Sequence, residues 1–217
     1  MSKASTETVT CPACQHKQEF VLWHSINVTL DPGLKAKLRS GDLTTFRCGR
    51  CGNTAEVVSS LLYHDMQQHW MIWVVPDGRL PEGVEAEQLS AHLPGYRLRR
   101  VRTRNDLVEK LNVFDAGLDD RLIAVVKVVL RNQLERESGI ENAVLFFDEW
   151  VHSSAERGPL RFAWVNDDKV RGLEVPWELY ENAKAQLEAL LLGAAEPPDA
   201  WLLTDDHYAC RLLAQRK

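Results

Sequence analysis

The sequence lacks a long apolar run. Its best candidate, Leu122–Leu130, is short and is interrupted by Lys127, whereas a helix needs about 20 apolar residues to cross a bilayer. The first residues, Met1–Thr10, are polar and contain no apolar segment of the kind found in export signals. We therefore expect a cytoplasmic protein with no signal peptide and no membrane partner.

The chain also lacks an excess of positive charge. Lys and Arg number 26 and Asp and Glu number 31, so the formal net charge is −5. A protein that coats nucleic acid through bulk electrostatics needs positive charge, so the composition disfavours that class but leaves room for a local basic patch. Hydrophobic residues make up 45% of the 217 residues, which is enough for one large or two small globular domains.

Cysteine is scarce, and its count of five is odd, which does not suit a disulfide framework. Four cysteines form two Cys-x-x-Cys pairs, Cys11 with Cys14 and Cys48 with Cys51. Each pair places two sulfurs on one tight turn, and two such turns can close a tetrahedral site. We predict that the four cysteines bind one structural Zn²⁺, because four thiolates leave no coordination position for substrate or water.

Three alternatives for the cysteine pairs stay open. A dithiol redox site is one, although it usually needs a single pair at the start of a helix. Iron is the second, since it accepts the same four thiolates. The third is a set of reduced cysteines that have lost their metal.

Proline and glycine cluster between two regions of the chain. The clusters are Pro76-Asp77-Gly78, Pro81-Glu82-Gly83 and Pro94-Gly95. Such clusters break helices and strands and are typical of linkers. We therefore predict a first domain at residues 1–75, a linker at 76–95 and a second domain at 96–217.

The first domain is predicted to be a zinc-ribbon-like antiparallel β domain. Runs of apolar and β-branched residues indicate its strands. Asp31 and Pro32 are typical of a helix N-cap and of the first helical position. The predicted elements are one helix, Gly33–Leu38, and three strands, Glu19–Thr29, Thr54–Tyr63 and His69–Val75.

The second domain is predicted to be α+β, with a β meander and two main helices. Apolar residues at helical spacing predict helices from Leu118 to Leu134 and from Pro176 to Gly193. Shorter helices are predicted after Thr103 and Asp205. The predicted strands are Tyr96–Val101 and the meander of Asn142–Trp150, Leu160–Val165 and Val170–Val175.

Several short segments around the cysteines form a recognisable set. They are Cys11-Pro12-Ala13-Cys14, Ser25–Thr29 with Asp31-Pro32, Ser40–Leu43, Cys48–Gly52 and Leu62–Met66. In these segments the chain resembles the CpXC family, a zinc-ribbon-like group of bacterial proteins with no assigned biochemical function. The resemblance implies a metal-binding N-terminal region and adds no reaction. Phe114–Arg121 resembles a segment that accompanies this region in longer members.

Two residues of the cysteine turns depart from that family pattern. Gly49 stands where the family name implies proline, and Gln15 follows Cys14 where glycine is usual. Either change can loosen a turn without removing a ligand.

Histidines and a carboxylate suggest an enzyme as one hypothesis. His64-Asp65, with His69 and His24, could form a general-base pair or a second metal site. No nucleophile and no Gly-rich phosphate loop accompany them in the sequence. A turn between two strands, capped by His64 and Asp65, is the simpler interpretation.

A basic run with nearby tryptophans suggests nucleic-acid binding as the alternative function. The run comprises Arg97, Arg99, Arg100, Arg102 and Arg104, and the aromatic residues are Trp23, Trp70 and Trp73. Arginines can contact phosphates and tryptophans can stack on bases. The run also suits a charged edge strand that resists aggregation. The function that we favour is a zinc-binding, non-enzymatic binding or scaffold protein with a protein partner; an enzyme using His64 and Asp65 ranks last.

Overall fold

The computed structural model describes residues 1–80, 95–140, 143–152, 157–166, 169–193 and 201–215. These residues form ten strands and five helices, which confirms the α+β class. The chain divides into two compact units, Met1–Leu107 with Pro198–Leu202 and Val108–Pro197 with Leu203–Lys217. Most of the predicted linker at 76–95 lies outside the described residues. Within those residues, no helix has both the length and the apolar character to cross a membrane.

The first unit is built on a five-stranded sheet. Its elements are β1 Lys3–Thr10, β2 Lys17–Asn27, α1 Gly33–Ser40, β3 Thr45–Arg47, β4 Thr54–Glu56, β5 Leu61–Asp65, β6 Trp70–Val74 and β7 Arg97–Val101. The sheet order is β1-β2-β5-β6-β7, and β3 and β4 form a separate two-stranded sheet. Residues that are 0% exposed come from several of these elements, and they include Ile26, Leu38, Phe46, Tyr63 and Ile72.

The large sheet is mixed, so the prediction of an antiparallel domain was wrong in this respect. The pairs β1–β2 and β5–β6 are antiparallel, but β2–β5 and β6–β7 are parallel. Parallel pairs need a crossover connection, and a local pattern of residues does not show where a crossover returns. The strand predicted at Tyr96–Val101 forms as β7, but it pairs with β6 and so belongs to the sheet of the first unit. The prediction had placed it in the second domain.

The structure differs from the predicted strands at two further places. Strand β1 was not predicted, since its alternating residues are polar and mostly exposed, and only its pairing with β2 holds it in the sheet. The single strand predicted at Thr54–Tyr63 is divided into β4 and β5, and residues 57–60 between them belong to no strand.

Helix α1 begins and ends differently from the prediction. Its N-cap is Pro32 with no side-chain hydrogen bond, rather than Asp31, and the Asp31 carboxylate accepts a hydrogen bond from Ser2 at 2.5 Å instead. At its other end Gly41 adopts a left-handed conformation with φ 87°. The Arg104 guanidinium donates to the carbonyl of Leu38 from Nε at 3.0 Å and from Nη2 at 2.9 Å. This cation therefore satisfies carbonyls at the negative end of the helix dipole.

The second unit contains the predicted meander and the two main helices. The elements are α2 Arg104–Asp115, α3 Asp120–Ser138, β8 Val144–His152, β9 Arg157–Asn166, β10 Lys169–Val175, α4 Trp177–Gly193 and α5 Asp206–Ala214. Helix α2 starts at the end of the first unit. The three strands form an antiparallel sheet in the order β10-β9-β8. Helix α3 is capped by Asp119, which accepts from the Arg121 N–H, and its N-terminal half is buried from Leu122 to Val126.

Candidate metal centre

The first cysteine pair lies in the tight turn that joins β1 to β2. The Cys11 N–H donates to the His16 carbonyl at 2.8 Å, and the Cys11 carbonyl accepts from the Gln15 N–H at 3.0 Å. These two backbone bonds close the turn around Cys14. Gln15 adopts a left-handed conformation with φ 59°, which a non-glycine residue rarely does.

The second pair lies in an equivalent turn that joins β3 to β4. The Cys48 N–H donates to the Asn53 carbonyl at 2.8 Å, and the Cys48 carbonyl accepts from the Gly52 N–H at 2.9 Å. The fifth residue is again left-handed, with φ 71° at Gly52. The two turns therefore have the same backbone pattern, but only the second has a glycine where the left-handed residue occurs.

The two turns bring the four cysteine sulfurs together. Sγ of Cys11 lies 3.7 Å from Sγ of Cys51, and Sγ of Cys14 lies 3.6 Å from Sγ of Cys48. All four atoms lie within 4.8 Å of one another. A tetrahedral centre with metal–sulfur bonds of about 2.3 Å has sulfur–sulfur edges of about 3.8 Å. The four cysteines are thus positioned to hold a metal ion, and the sulfurs are too far apart for disulfides.

The surroundings of the sulfurs favour a bound cation. The Cys51 N–H is the main hydrogen-bond donor that lowers the pKa of Cys48 to about 6, against the opposing effect of burial. The Asn53 N–H also favours the thiolate of Cys51, but the neighbouring sulfurs of Cys14, Cys11 and Cys48, together with burial, raise the pKa of Cys51 to about 12. Four thiolates at these distances repel one another, and a cation between them removes that repulsion.

A glutamine that the sequence did not single out connects the two turns. Nε2 of Gln18 donates to the Arg47 carbonyl at 2.9 Å, and Oε1 of Gln18 accepts from the Gly49 N–H at 2.8 Å. One β2 side chain therefore binds the strand and the turn that carry the second cysteine pair. A proline at position 49 could not donate this bond, so the departure from the family pattern at Gly49 has a structural use.

An apolar cluster packs around the buried cysteines of the site. Cys11, Cys48 and Phe46 are buried, and Val9, Phe20 and Val57 pack against them. The rings of Phe20 and Phe46 meet edge to face with their centroids 6.2 Å apart. Cys51, in contrast, is exposed. The centre is therefore anchored on one side and open to solvent on the other.

The histidines of the enzyme hypothesis do not form one site. Asp65 is a turn cap, because its Oδ1 accepts from the N–H groups of Gln67 at 3.1 Å and Gln68 at 3.0 Å. His64 lies 3.1 Å from the Tyr96 hydroxyl, and burial lowers the pKa of His64. His69 stacks on the same tyrosine with centroids 5.1 Å apart. Among the described residues, the four cysteines are the only group of three or more metal-ligating side chains placed to share an ion.

His24 lies elsewhere, with its Nε2 2.8 Å from the Ser5 hydroxyl on β1. The structure therefore brings His64 and His69 to one tyrosine and leaves His24 outside that group. Among the described residues, the hydrogen-bond partner of the His64 ring is the Tyr96 hydroxyl, and the Asp65 carboxylate accepts from backbone N–H groups of the turn.

The basic run does not form one exposed stripe. Arg99 is 1% exposed, and its Nη1 donates to the Leu98 carbonyl at 3.0 Å. Arg104 is used at the end of α1, whereas Arg102 is exposed. The run therefore serves several structural purposes. Strand β7 is last in the sheet order, and Leu202 partly covers its outer edge, because the Arg100 N–H donates to the Leu202 carbonyl at 3.0 Å and the Leu202 N–H donates to the Leu98 carbonyl at 3.3 Å.

The tryptophans proposed as base-stacking residues are mostly engaged as well. Trp70 is 8% exposed, and the Lys35 ammonium of α1 lies 5.6 Å from its ring centroid. Nε1 of Trp73 donates to the Ser60 hydroxyl at 2.9 Å, and its ring meets Trp201 edge to face. Trp23 is half-buried.

Comparison with known proteins agrees with the geometry of the cysteine turns. The family model described as CpXC protein matches residues 9–127. No curated protein and no solved structure matches the chain. The matched segment is more than half of the 217 residues and includes all four cysteines. The chain therefore belongs to the CpXC protein family.

Proposed function

We propose that this chain is a zinc-binding, non-enzymatic binding module of the cytoplasm, in which the metal is structural and the partner is a protein. The observation that carries the proposal is the convergence of four cysteine sulfurs within 4.8 Å of one another. Zn²⁺ is the metal that four thiolates in tetrahedral geometry most commonly hold in proteins. Iron, which the same ligands accept, is the competing metal.

The ligand set argues for a structural role of the metal. Four protein ligands fill a tetrahedral ion, so neither water nor substrate can coordinate it. Each turn buries a cysteine, and the glutamine bridge from Gln18 fixes the second turn to β2. In the proposal, the ion fixes the β3–β4 hairpin, whose strands have three residues each and which buries little apolar surface by itself, to the turn between β1 and β2.

A nucleic-acid partner is the alternative, and the described arginines give it less support. Binding through phosphates weakens steeply as salt increases, because it releases counterions. We therefore measure binding of single- and double-stranded DNA and RNA oligonucleotides at low and at physiological salt. Salt-sensitive binding that decreases in Arg102→Gln would favour nucleic acid over the protein partner.

The metal is tested by elemental analysis of protein purified without added metal. We expect about one zinc ion per chain, the stoichiometry of a closed four-cysteine site. Cys48→Ser should lose the metal, while the matched control Cys210→Ser, which changes an exposed cysteine outside the site, should keep it. Metal-free protein with four freely titratable site thiols would refute the proposal, and stoichiometric iron would replace zinc in it.

A further inference from the structure

A small apolar cleft lies in the first unit. It is next to the end of the β3–β4 hairpin that is farther from the cysteines. Its volume is about 80 Å³. The apolar part of the lining comes from β2, β5, β6 and the segments around β3 and β4: Trp23, Leu43, Val57, Val58, Leu61 and Val74. An apolar cavity of about 150 Å³ accepts benzene. The smaller volume here suits one branched aliphatic group.

One wall of the cleft is a length of backbone without a strand partner. From Asn53 to Ser60 the side chains alternate between half-buried and exposed, which is the period of a strand. The sequence also predicts a strand through these residues. Yet Val58 and Ser59 make no backbone hydrogen bond to any residue that the structure describes. Val58 and Ser59 therefore offer free N–H and C=O groups beside the cleft, as an edge strand does, whereas the Val57 N–H already donates to the Thr44 carbonyl at 2.7 Å.

The exposed side chain of Val58 agrees with this description. It is 71% exposed, although valine is usually among the most buried residue types. It lies on the wall of the cleft, where a second extended chain would cover it. The addition of an extended peptide to an unpaired strand edge, with one side chain in a pocket, is a common mode of peptide recognition.

Two opposite charges border the same cleft. Glu56 and Arg102 both line it and both are exposed. Neither side chain has a hydrogen bond or an ion pair with any part of the chain that the structure describes. Arg104 also lines the cleft, but its guanidinium is bound to carbonyls of α1. The accessible charge is therefore one carboxylate and one guanidinium, which complements a segment with one basic and one acidic group.

We propose that this cleft binds an extended peptide segment in which an aliphatic residue lies between a basic and an acidic residue. The aliphatic side chain fills the cavity, the peptide backbone pairs with Val58 and Ser59, and the flanking charges meet Glu56 and Arg102. This inference rests on the proposed function, because it gives the chemistry of the protein partner. The metal contributes indirectly, since the hairpin that carries the wall also carries Cys48 and Cys51.

The test uses the full-length zinc-loaded protein, labelled with ¹⁵N, and the probe peptide acetyl-Ser-Lys-Ile-Asp-Ser-amide. Amide chemical shifts are followed during the titration. We expect the largest shifts at residues 56–61 and at the Trp23 indole. Replacing Ile by Ala in the peptide should weaken binding about tenfold or more, because a buried aliphatic side chain is lost. Replacing Lys and Asp by Gln and Asn should weaken it severalfold and remove its salt dependence.

Protein variants locate the site. Arg102→Gln should weaken binding severalfold, whereas Arg79→Gln, the same change at an exposed arginine outside the cleft, should not. Val58→Asp should abolish binding and Val58→Thr should retain most of it, because threonine keeps the shape. Both changes are at an exposed side chain, and the dispersion of the free spectrum shows that each variant is folded.

Three results would overturn the inference. They are the absence of shifts at millimolar peptide, shifts at residues outside the cleft, and equal affinity for the Ile and Ala peptides. Free isocaproate is added as a further arm, and if it binds as tightly as the peptide the occupant is a small carboxylate and the peptide proposal fails. Failure of the proposed function is distinguishable, because it appears as missing metal in the elemental analysis whether or not the peptide binds.

Discussion

The left-handed residues of the two cysteine turns give a quantitative prediction. Gly52 has φ 71° and nothing lies within 4 Å of a Cβ added there, so Gly52→Ala introduces backbone strain and no clash. The left-handed conformation costs alanine about 1–2 kcal/mol, and the smaller unfolded-chain entropy of alanine offsets about 0.5–1 kcal/mol of this, so the net cost is about 1 kcal/mol. The turn closes when it binds metal, so the strain is subtracted from the free energy of metal binding. We expect the zinc affinity to decrease about fivefold.

The reverse substitution, from a non-glycine residue to glycine, can be made at Gln15 in the first turn. Gln15 already carries the strain at φ 59°, and its side chain makes only a long contact of 3.5 Å with the Pro12 carbonyl. Gln15→Gly relieves about 1–2 kcal/mol of strain and adds about 0.5–1 kcal/mol of unfolded-chain entropy. The net gain, about 1 kcal/mol within a range of about 0–1.5 kcal/mol, should tighten zinc binding about fivefold.

The assay is competition for zinc with a chromogenic chelator of known affinity at constant pH. Gly33→Ala is the matched control, because Gly33 also has open space around its Cβ position but does not have a positive φ. It should leave the zinc affinity unchanged. Opposite shifts are required for Gly52→Ala and Gln15→Gly, and shifts of the same sign, or none in either, would refute the reasoning.

Three further predictions concern the bridge, the metal and pH. Gln18→Ala removes two hydrogen bonds and should reduce the free energy of zinc binding by about 1–2 kcal/mol. Chelator competition measures the zinc affinity of this variant and of the control Gln67→Ala, which changes an exposed side chain, and equal affinities of the two variants would contradict the prediction. Removal of zinc should speed amide hydrogen exchange in β1–β4 and leave α3 protected, and hydrogen-exchange mass spectrometry measures both segments. Simultaneous loss of protection in both segments would mean that they unfold as one cooperative unit. Arg131 lowers the pKa of Asp206. This pair therefore stabilises the fold above the ordinary Asp pKa of about 4, and the stabilisation is lost as pH falls through the lower pKa of the folded state. Asp206→Asn should flatten that part of the curve of unfolding free energy against pH, and an unchanged curve would exclude the pair as its cause.

The predictable part of the site was the part that is local in sequence. Two residues between paired cysteines fix the distance of their sulfurs, so the spacing alone indicated that Cys11, Cys14, Cys48 and Cys51 would converge, and the structure places them together. The bridge from Gln18 was not predictable in this way. It depends on which residues of β2 lie opposite the second turn, and glutamine at this position has no distinguishing pattern.

The fold shows the same division between local and distant information. Helices α3 and α4 follow from apolar residues at helical spacing, and the meander follows from three short apolar runs separated by turns. Strand β1 has no apolar face, and its conformation is decided by β2. The position of β7 is decided by β6 across the segment that contains the proline and glycine clusters, so no pattern within Arg97–Val101 could assign it to the first sheet.

The mixed sheet has a consequence for the order in which the chain can fold during synthesis. The β1–β2 hairpin precedes the second cysteine turn and carries Cys11 and Cys14, but β2 pairs in parallel with β5, which is synthesised only after Cys51. Parallel partners far apart in sequence form late, because the intervening loop must first be closed. A nascent chain therefore exposes half of the metal site, Cys11 and Cys14 on a hairpin that has not yet paired with β5, for the whole interval in which the other half is synthesised.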